Sequence, residues 1–490
     1  MLKAAVPETI LVIAALVALA ADLLTMRDLD SQFRRIIGGL IACVGCVAAI
    51  AWMLVMPEHA NFFEGMLVLD PLTQLVKIAL LVITIFTILV SVETDFTTHI
   101  GEYFALILLA AIGMLFLVSS EDILMIFISL ELTSLSLYIL TAFNKRNIKS
   151  AEAALKYFLF GGMSAAFTLF GLSLLYGLSG ATNLSQIGAV VGRPGLDPLL
   201  MVALVMTVIG FGFKIAAVPF HLWAPDAYEG APAPSAAFIA SGSKVASFFV
   251  FAKVLMLGFH GAEGSGAWRA FIPGWVPVIA VIAVASMLLG NLAAIVQSSV
   301  RRLLAYSAIA HAGYILLGIL ANGRDGLASV IFYVVIYGLT TVGAFGVVSI
   351  VQDRTGGDRL ANFVGLSKRA PVLSFCMMVF MLSLAGIPPL AGFFGKFYLF
   401  TAALKSTPDN LGFLWLIFAA IGLSAVSLYY YLIVLKQIYV VAPASETPTL
   451  KAPVLGQVIL SLLALAVLVL GCAPKLLLGR LISAIQVAGF

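Results

Sequence analysis

Fourteen stretches of about 17 or more mostly apolar residues follow one another along this chain, each long enough to cross a bilayer core of about 30 Å as an α-helix. They lie near 8–25, 36–56, 72–92, 103–119, 122–142, 153–178, 198–221, 235–258, 275–297, 302–320, 327–351, 371–404, 412–440 and 454–473. Of the 490 residues, 62% are hydrophobic and 10% charged, too few charges to cover an aqueous surface, so the apolar surplus must face lipid. A mean hydropathy of +1.13 excludes a soluble enzyme, a disordered chain and a nucleic-acid binder. The prediction is an all-α polytopic membrane protein with loops too short for an extramembrane domain. Ala18-Leu19-Ala20 looks like a signal-peptidase site, but Lys3 is the only basic residue ahead of it and apolar character continues to Leu24, so an uncleaved first helix is expected.

Basic residues orient such a chain, because loops rich in Lys and Arg stay cytoplasmic. Outside the spans, fourteen Lys and Arg fall in loops that follow odd-numbered spans, against seven on the other side. Both termini are therefore expected outside the cytoplasm. The other six basic residues, Lys77, Lys156, Lys214, Lys244, Lys253 and Lys396, fall inside apolar spans.

An ionisable group at the bilayer centre costs about 2.5–3.5 kcal/mol on insertion scales, so each needs a reason. Lys77 and Lys253 lie about five residues from the ends of their spans, where a long stem can snorkel to the headgroups. Lys156, about one turn into span 6, can snorkel or join the deeper set. Glu131, Lys214, Lys244 and Lys396 sit well inside their spans. Glu131, Ser134, Tyr138 and Thr141 make a polar stripe at helical spacing on span 5, and Ser307, His311 and Tyr314 make one on span 10. Thr207, Gly210, Lys214 and His221 share a face of span 7 if that helix stays regular. Structural polar pairs that glue helices are the plain alternative for any one of these. Four helices with such groups point instead to a shared proton or ion path.

Spans 7 and 12 are expected to be broken. Gly210, Gly212, Lys214 and Pro219 interrupt the first; Gly386, Pro388, Pro389, Gly392, Gly395 and Lys396 interrupt the second. Two interrupted helices five spans apart, each with a lysine, are the mark of inverted repeats. The expected organisation is three helices in 1–100, a first five-helix repeat in 101–260 (spans 4–8), an inverted second repeat in 270–441 (spans 9–13), and a C-terminal helix in 450–490. Ser119-Ser120 before span 5 and Ser298-Ser299 before span 10 fit that repeat weakly.

Cofactor motifs are missing from the sequence. Cys43 and Cys46 have CxxC spacing but lie in an apolar run with no second pair or His cluster, and there is neither a dinucleotide fingerprint nor a P-loop. No cofactor or metal is expected in this chain.

The broken helices also carry a family resemblance. The strings Lys214-Ile-Ala-Ala-Val-Pro-Phe-His-Leu-Trp-Ala-Pro-Asp-Ala-Tyr-Glu-Gly-Ala-Pro232, Ser241-Gly-Ser-Lys244, Arg301-Arg-Leu-Leu-Ala-Tyr-Ser-Ala-Ile-Ala-His311 and Gly386-Ile-Pro-Pro-Leu-Ala-Gly-Phe-Phe-Gly-Lys396 resemble the antiporter-like subunits of respiratory complex I. The likeness runs from about span 4 to span 13 and is strongest to the subunit N type, homologous to mitochondrial NADH dehydrogenase subunit 2. A lysine rather than a glutamate in span 12, and no long lateral helix after span 14, favour that type.

The resemblance implies proton-transfer roles for Glu131, Lys156, Lys214, Lys244, His221, His311 and Lys396. It also implies proton translocation driven by quinone reduction elsewhere, with NADH, FMN, iron–sulfur clusters and quinone held by partner subunits, and neighbouring antiporter-like subunits as partners in the bilayer. The chemistry is consistent: burial disfavours an ammonium, and a carboxylate within about 4 Å returns roughly 4 kcal/mol at an effective dielectric of about 20. Two rivals are a Mrp-type sodium/proton antiporter subunit and a non-pumping scaffold.

Overall fold

The computed structural model describes residues 5–55, 60–192, 197–267, 270–406, 412–442 and 450–489. Their helices are α1 (Val6–Leu24), α2 (Ser31–Val55), α3 (Pro71–Val92), α4 (Ile100–Ser119), α5 (Ile123–Thr141), α6 (Ile148–Ser179), α7 (Leu184–Val191), α8 (Pro198–Lys214), α9 (Trp223–Gly230), α10 (Ala233–Ala240), α11 (Gly242–Lys253), α12 (Trp275–Ile295), α13 (Val300–Leu320), α14 (Gly323–Thr355), α15 (Leu366–Arg369), α16 (Pro371–Ala385), α17 (Ala391–Lys405), α18 (Leu414–Tyr439), α19 (Val454–Cys472) and α20 (Lys475–Ala488). Twelve of the segments are long and apolar enough to span a membrane, with α10 and α11 counted as one, and two shorter apolar helices, α8 and α16, begin the expected broken spans. Two short antiparallel hairpins, β1–β2 (Ala60↔Leu69) and β3–β4 (Ser265↔Ile272), sit in connections.

Caps explain where many helices start. Side chains of Asp70, Asp122, Asn147, Asn183, Asp197 and Ser299 accept from first-turn amides, which have no partner inside their own helix. α14 is the centre of the bundle: its apolar window is wholly buried, and it packs against α3, α10, α11, α13, α16, α17, α19 and α20.

Fourteen alternating spans require that the even and odd connections never meet, and the ion pairs obey this. On the N-terminal side, Glu8 meets Lys77 at 2.6 Å and Glu121 meets Lys253 at 3.0 Å. On the opposite side, Asp22 meets Arg34, Asp95 meets Arg35, Glu229 meets Lys149 and Asp358 meets Arg301. These pairs overturn the snorkelling expected of Lys77 and Lys253. Both are fully buried, Lys77 against a carboxylate of α1 and Lys253 against Glu121 in the α4–α5 connection, because an opposite charge offsets the burial of an ammonium that does not reach water.

The same local construction occurs twice. The Ile123 amide donates to the Thr182 carbonyl at 2.9 Å and Leu184 to Glu121 at 2.8 Å; correspondingly, Val300 donates to Asp358 at 2.9 Å and Leu360 to Ser298 at 2.9 Å. Each forms an isolated β-bridge, Asp122↔Asn183 and Ser299↔Arg359, beside a capped helix start. The long helices that lead into them, α6 and α14, both end in a left-handed glycine, Gly180 and Gly356. Five spans separate the two copies, so they lie on opposite sides.

Both breaks fall where expected, and their freed carbonyls are occupied. α8 stops at Lys214 because Ala216 turns left-handed at φ 57 and Pro219 follows. The Phe213 carbonyl then accepts from Ala216 N and from Trp223 Nε1 at 2.9 Å, and Ala217 N returns to the Gly212 carbonyl. α16 ends at left-handed Gly386, and Gly392 N donates to Ser383 Oγ across the break. A Cβ on Gly392 would run into the Ser383 carbonyl, a backbone atom that cannot turn aside. Gly392→Ala is therefore expected to destabilise the second break by about 1–3 kcal/mol, read as a lower melting temperature of the purified protein. Span 8 holds a third interruption that the sequence reading missed: α10 ends and α11 begins at Ser241 (φ −115, ψ −77), three residues before Lys244, at a Ser-Gly pair of the kind that kinks helices.

Candidate functional site

The breaks place lysines at helix ends. Lys214 closes α8, with Nζ 3.4 Å from Glu131 Oε1 and in close contact with Ser134 Oγ. Two members of the span-5 stripe thus meet span 7. Glu131 remains 24% exposed on its side chain while Lys214 is buried, so the carboxylate end of this pair faces outward. The regular continuation needed to bring His221 onto the Lys214 face does not occur. His221 lies beyond the break, buried between α8 and α9, and no hydrogen bond or ion pair among the described residues joins it to Glu131, Lys214 or Lys244.

Lys244 is buried in the first turn of α11 and donates to the Ala308 carbonyl of α13 at 2.7 Å, with its Nζ 5.6 Å from the Tyr337 ring centroid. His311, one turn on from Ala308, is buried between two hydroxyls: Nδ1 is 2.6 Å from Tyr333 Oη and Nε2 2.9 Å from Tyr431 Oη. Ser307 Oγ also contacts the Tyr431 hydroxyl, so the span-10 stripe is used in full. Lys396 reaches back across the second break, donating to the Ala385 carbonyl at the end of α16 (3.0 Å) and to Ser424 Oγ (2.8 Å). That carbonyl is at a helix C-terminus, where a cation is favoured. The Lys396 ammonium also lies 5.0 Å from the Tyr314 ring, and Tyr314 Oη accepts from Asn291 Nδ2 at 3.0 Å.

Lys214, Lys244, His311 and Lys396 therefore occupy the interior, on α8, α11, α13 and α17, with the partly exposed Glu131 of α5 paired to Lys214. Lys156 takes the surface alternative: its side chain is 41% exposed and bonds Glu152 (2.6 Å) and Asp226 (2.8 Å). Arg302 joins Asp226 and Glu229 in the same cluster. The sequence reading missed Tyr333, Tyr337, Tyr431, Asn291 and Ser424. Their signal was there, as hydroxyls and one amide inside otherwise apolar spans.

Two of the deep lysines differ from the paired ones. Among the described residues Lys244 and Lys396 have no carboxylate within ion-pair distance, only neutral oxygens and rings. Each can be an ammonium or a neutral amine without breaking a salt bridge.

A helical bundle with two lysine-bearing broken helices and a buried lysine–histidine chain is the architecture of the antiporter-like membrane subunits. The family described as NADH:quinone oxidoreductase/Mrp antiporter, TM, matches residues 120–427. The NADH-quinone oxidoreductase subunit N 2 of Acidobacterium capsulatum is 52% identical over 487 residues, 98% of each chain. Respiratory complex I from Thermus thermophilus with bound aureothin contains a chain with a TM-score of 0.78 and 32% identity, covering 97% of this chain and 99% of that one. The Mrp complex from Dietzia sp. DQ12-45-1b contains one with a TM-score of 0.82 at 21% identity (99% and 97% covered), a likeness of fold alone. The chain belongs to the NADH-quinone oxidoreductase subunit N family, a proton-translocating multi-pass membrane subunit of respiratory complex I.

Proposed function

We propose that protons cross this subunit through Glu131, Lys214, Lys244, His311 and Lys396, with His221 supporting the first break and Lys156 at the mouth. The observation that carries this reading is the bonding of Lys244 and Lys396 to neutral oxygens alone, with His311 held by two hydroxyls between them. A proton can be taken up or given up at such sites with no ion pair to break. Lys214 is the controlled member: when Glu131 is near, the ammonium is favoured, and when the carboxylate moves or is neutralised, the proton is released toward Lys244.

The twice-built β-bridge supports repeats at 101–260 and 270–441, flanked by 1–100 and 450–490. The lysine and arginine count supports both termini lying outside the cytoplasm, which in the bacterial inner membrane expected from the relatives is the periplasmic side. Glu131, partly exposed, is positioned to meet a neighbouring antiporter-like subunit, and the energy comes from quinone reduction in partner subunits that hold NADH, FMN and iron–sulfur clusters.

The test is Lys214→Ala in the assembled complex, reading protons moved per electron in sealed vesicles. The share of pumping that depends on this chain is expected to vanish while quinone reduction continues in detergent. An unchanged proton-to-electron ratio would remove Lys214 from the route.

A further inference from the structure

Amides freed by a helix break need partners at membrane depth, and at the first break they find them in two places. The amides of Ile215, Ala216 and Ala217 all return to carbonyls of α8, at Phe211, Phe213 and Gly212. Val218 does not. Its amide donates at 2.9 Å to Ser286 Oγ, in the middle of α12, and Pro219 beyond it has no amide to offer. Ser286 is buried and stands on the first span of the second repeat, whereas the break belongs to the first repeat. The second break is closed differently: Gly392 finds its hydroxyl, Ser383 Oγ, on the preceding half of its own span.

α12 cannot shift without its neighbours. Its backbone lies directly against that of α13: a Cβ on Gly290 would fall 2.5 Å from Ala310 N, and one on Gly313 would fall 2.6 Å from the Ala283 carbonyl. Ser286 stands between these two close approaches. Five residues further along the helix, Asn291 donates to Tyr314 Oη and accepts from Tyr430 Oη, both at 3.0 Å, so α13 and α18 are each bonded to α12. One helix therefore joins the element that bears His311 to the break that lies four residues past Lys214.

We propose that Ser286 is a positioning residue for Lys214: its hydroxyl holds the far side of the first break, so that the second repeat sets where the ammonium stands relative to Glu131 and Ser134. The hydroxyl is not itself a member of the route. Without this acceptor the Val218 amide is unpaired, the break relaxes, and Lys214 loses its fixed place beside the carboxylate. A displacement of about 1 Å at a reacting group can cost about a hundredfold in rate, so one remote hydrogen bond is enough to matter. The inference rests on the route proposed above.

The test uses the whole complex with Ser286→Ala, Ser286→Cys or Ser286→Thr, and Lys214→Ala alongside. Cysteine keeps the shape of serine but accepts weakly, and threonine keeps the hydroxyl. Hydrogen exchange at the Val218 amide is expected to quicken about fivefold in Ser286→Ala and Ser286→Cys and to keep the parent's rate in Ser286→Thr. Protons moved per electron in sealed vesicles follow the same order, falling toward the Lys214→Ala value in the first two and recovering in Ser286→Thr, while quinone reduction in detergent is unchanged. A role in packing alone would leave Ser286→Cys like the parent. Should the added methyl of Ser286→Thr prevent assembly, the other two decide, since both must lose pumping. Combining Ser286→Ala with Lys214→Ala must lower the ratio no further than Lys214→Ala does. A parental ratio in Ser286→Ala or Ser286→Cys, or a further fall in the double variant, overturns the inference; the route still stands if Lys214→Ala has lost pumping. A parental ratio in Lys214→Ala refutes the route and the inference with it.

Discussion

Lys244→Met is expected to abolish the proton translocation that depends on this subunit while the assembled complex still reduces quinone in detergent. The substitution keeps the length and burial of the side chain and removes only its ability to carry a proton. Lys244 is the one deep lysine that touches both halves: it stands in the first turn of α11 and donates to the Ala308 carbonyl of α13, one turn before His311. With methionine there, the path between Lys214 and His311 has no proton-binding group in the middle. Removing the ammonium leaves the Ala308 carbonyl inside a regular helix, so little stability is lost. The measurement is protons per electron in sealed vesicles, with turnover as the control. An unaltered ratio with normal turnover would show that protons do not pass this point. His311→Gln is the milder companion: a neutral hydrogen-bonding side chain keeps contact with the tyrosines but cannot accept a proton, so the rate falls while assembly is unaffected.

Much of this arrangement could be read from the chain because a membrane restricts what an apolar run can do. A stretch such as Pro71–Val92 must satisfy its backbone internally, so its length alone fixes it as a spanning helix. Breaks at Gly and Pro were equally legible, since those residues act on the backbone at their own position. The interruption at Ser241 was not, because Ser-Gly is permissive of a kink rather than forcing one. Partners were the hardest to foresee. Lys77 looked like a snorkelling lysine because its carboxylate, Glu8, lies 69 residues away in another helix. His221 was assigned to the Lys214 face by extending a helix through Pro219, where a regular helix cannot continue. The tyrosines around His311 come from α14 and α18 and share no local spacing with it, so the chain marks them as hydroxyls in apolar spans but only tertiary packing pairs them with His311. The short helix α7 and the two hairpins lie in connections too brief to carry a periodic signal.

The Lys77–Glu8 pair gives the second large effect, on stability instead of transport. The two side chains are essentially unexposed, meet at 2.6 Å, and tie α1 to α3. Taking away one partner leaves a buried charge with nothing to balance it, a loss of about 3–5 kcal/mol in comparable sites. Lys77→Met and Glu8→Leu should each lower the melting temperature of the purified protein sharply. Removing both charges leaves an apolar contact of similar volume, so the double variant is expected to recover most of the loss. A double variant no more stable than the worse single one would show that the pair supplies more than charge balance. Proton translocation per electron in the double variant should equal that of the parent, and this separates two uses of a buried lysine. Where a carboxylate is locked against the ammonium, as at Lys77, the pair ties two helices together and serves packing. Where only neutral oxygens face it, as at Lys244 and Lys396, no ion pair holds the proton in place, as the proposed route needs. Lys214, 3.4 Å from a carboxylate that is itself partly exposed, lies between these cases, and that intermediate position is what a switch requires.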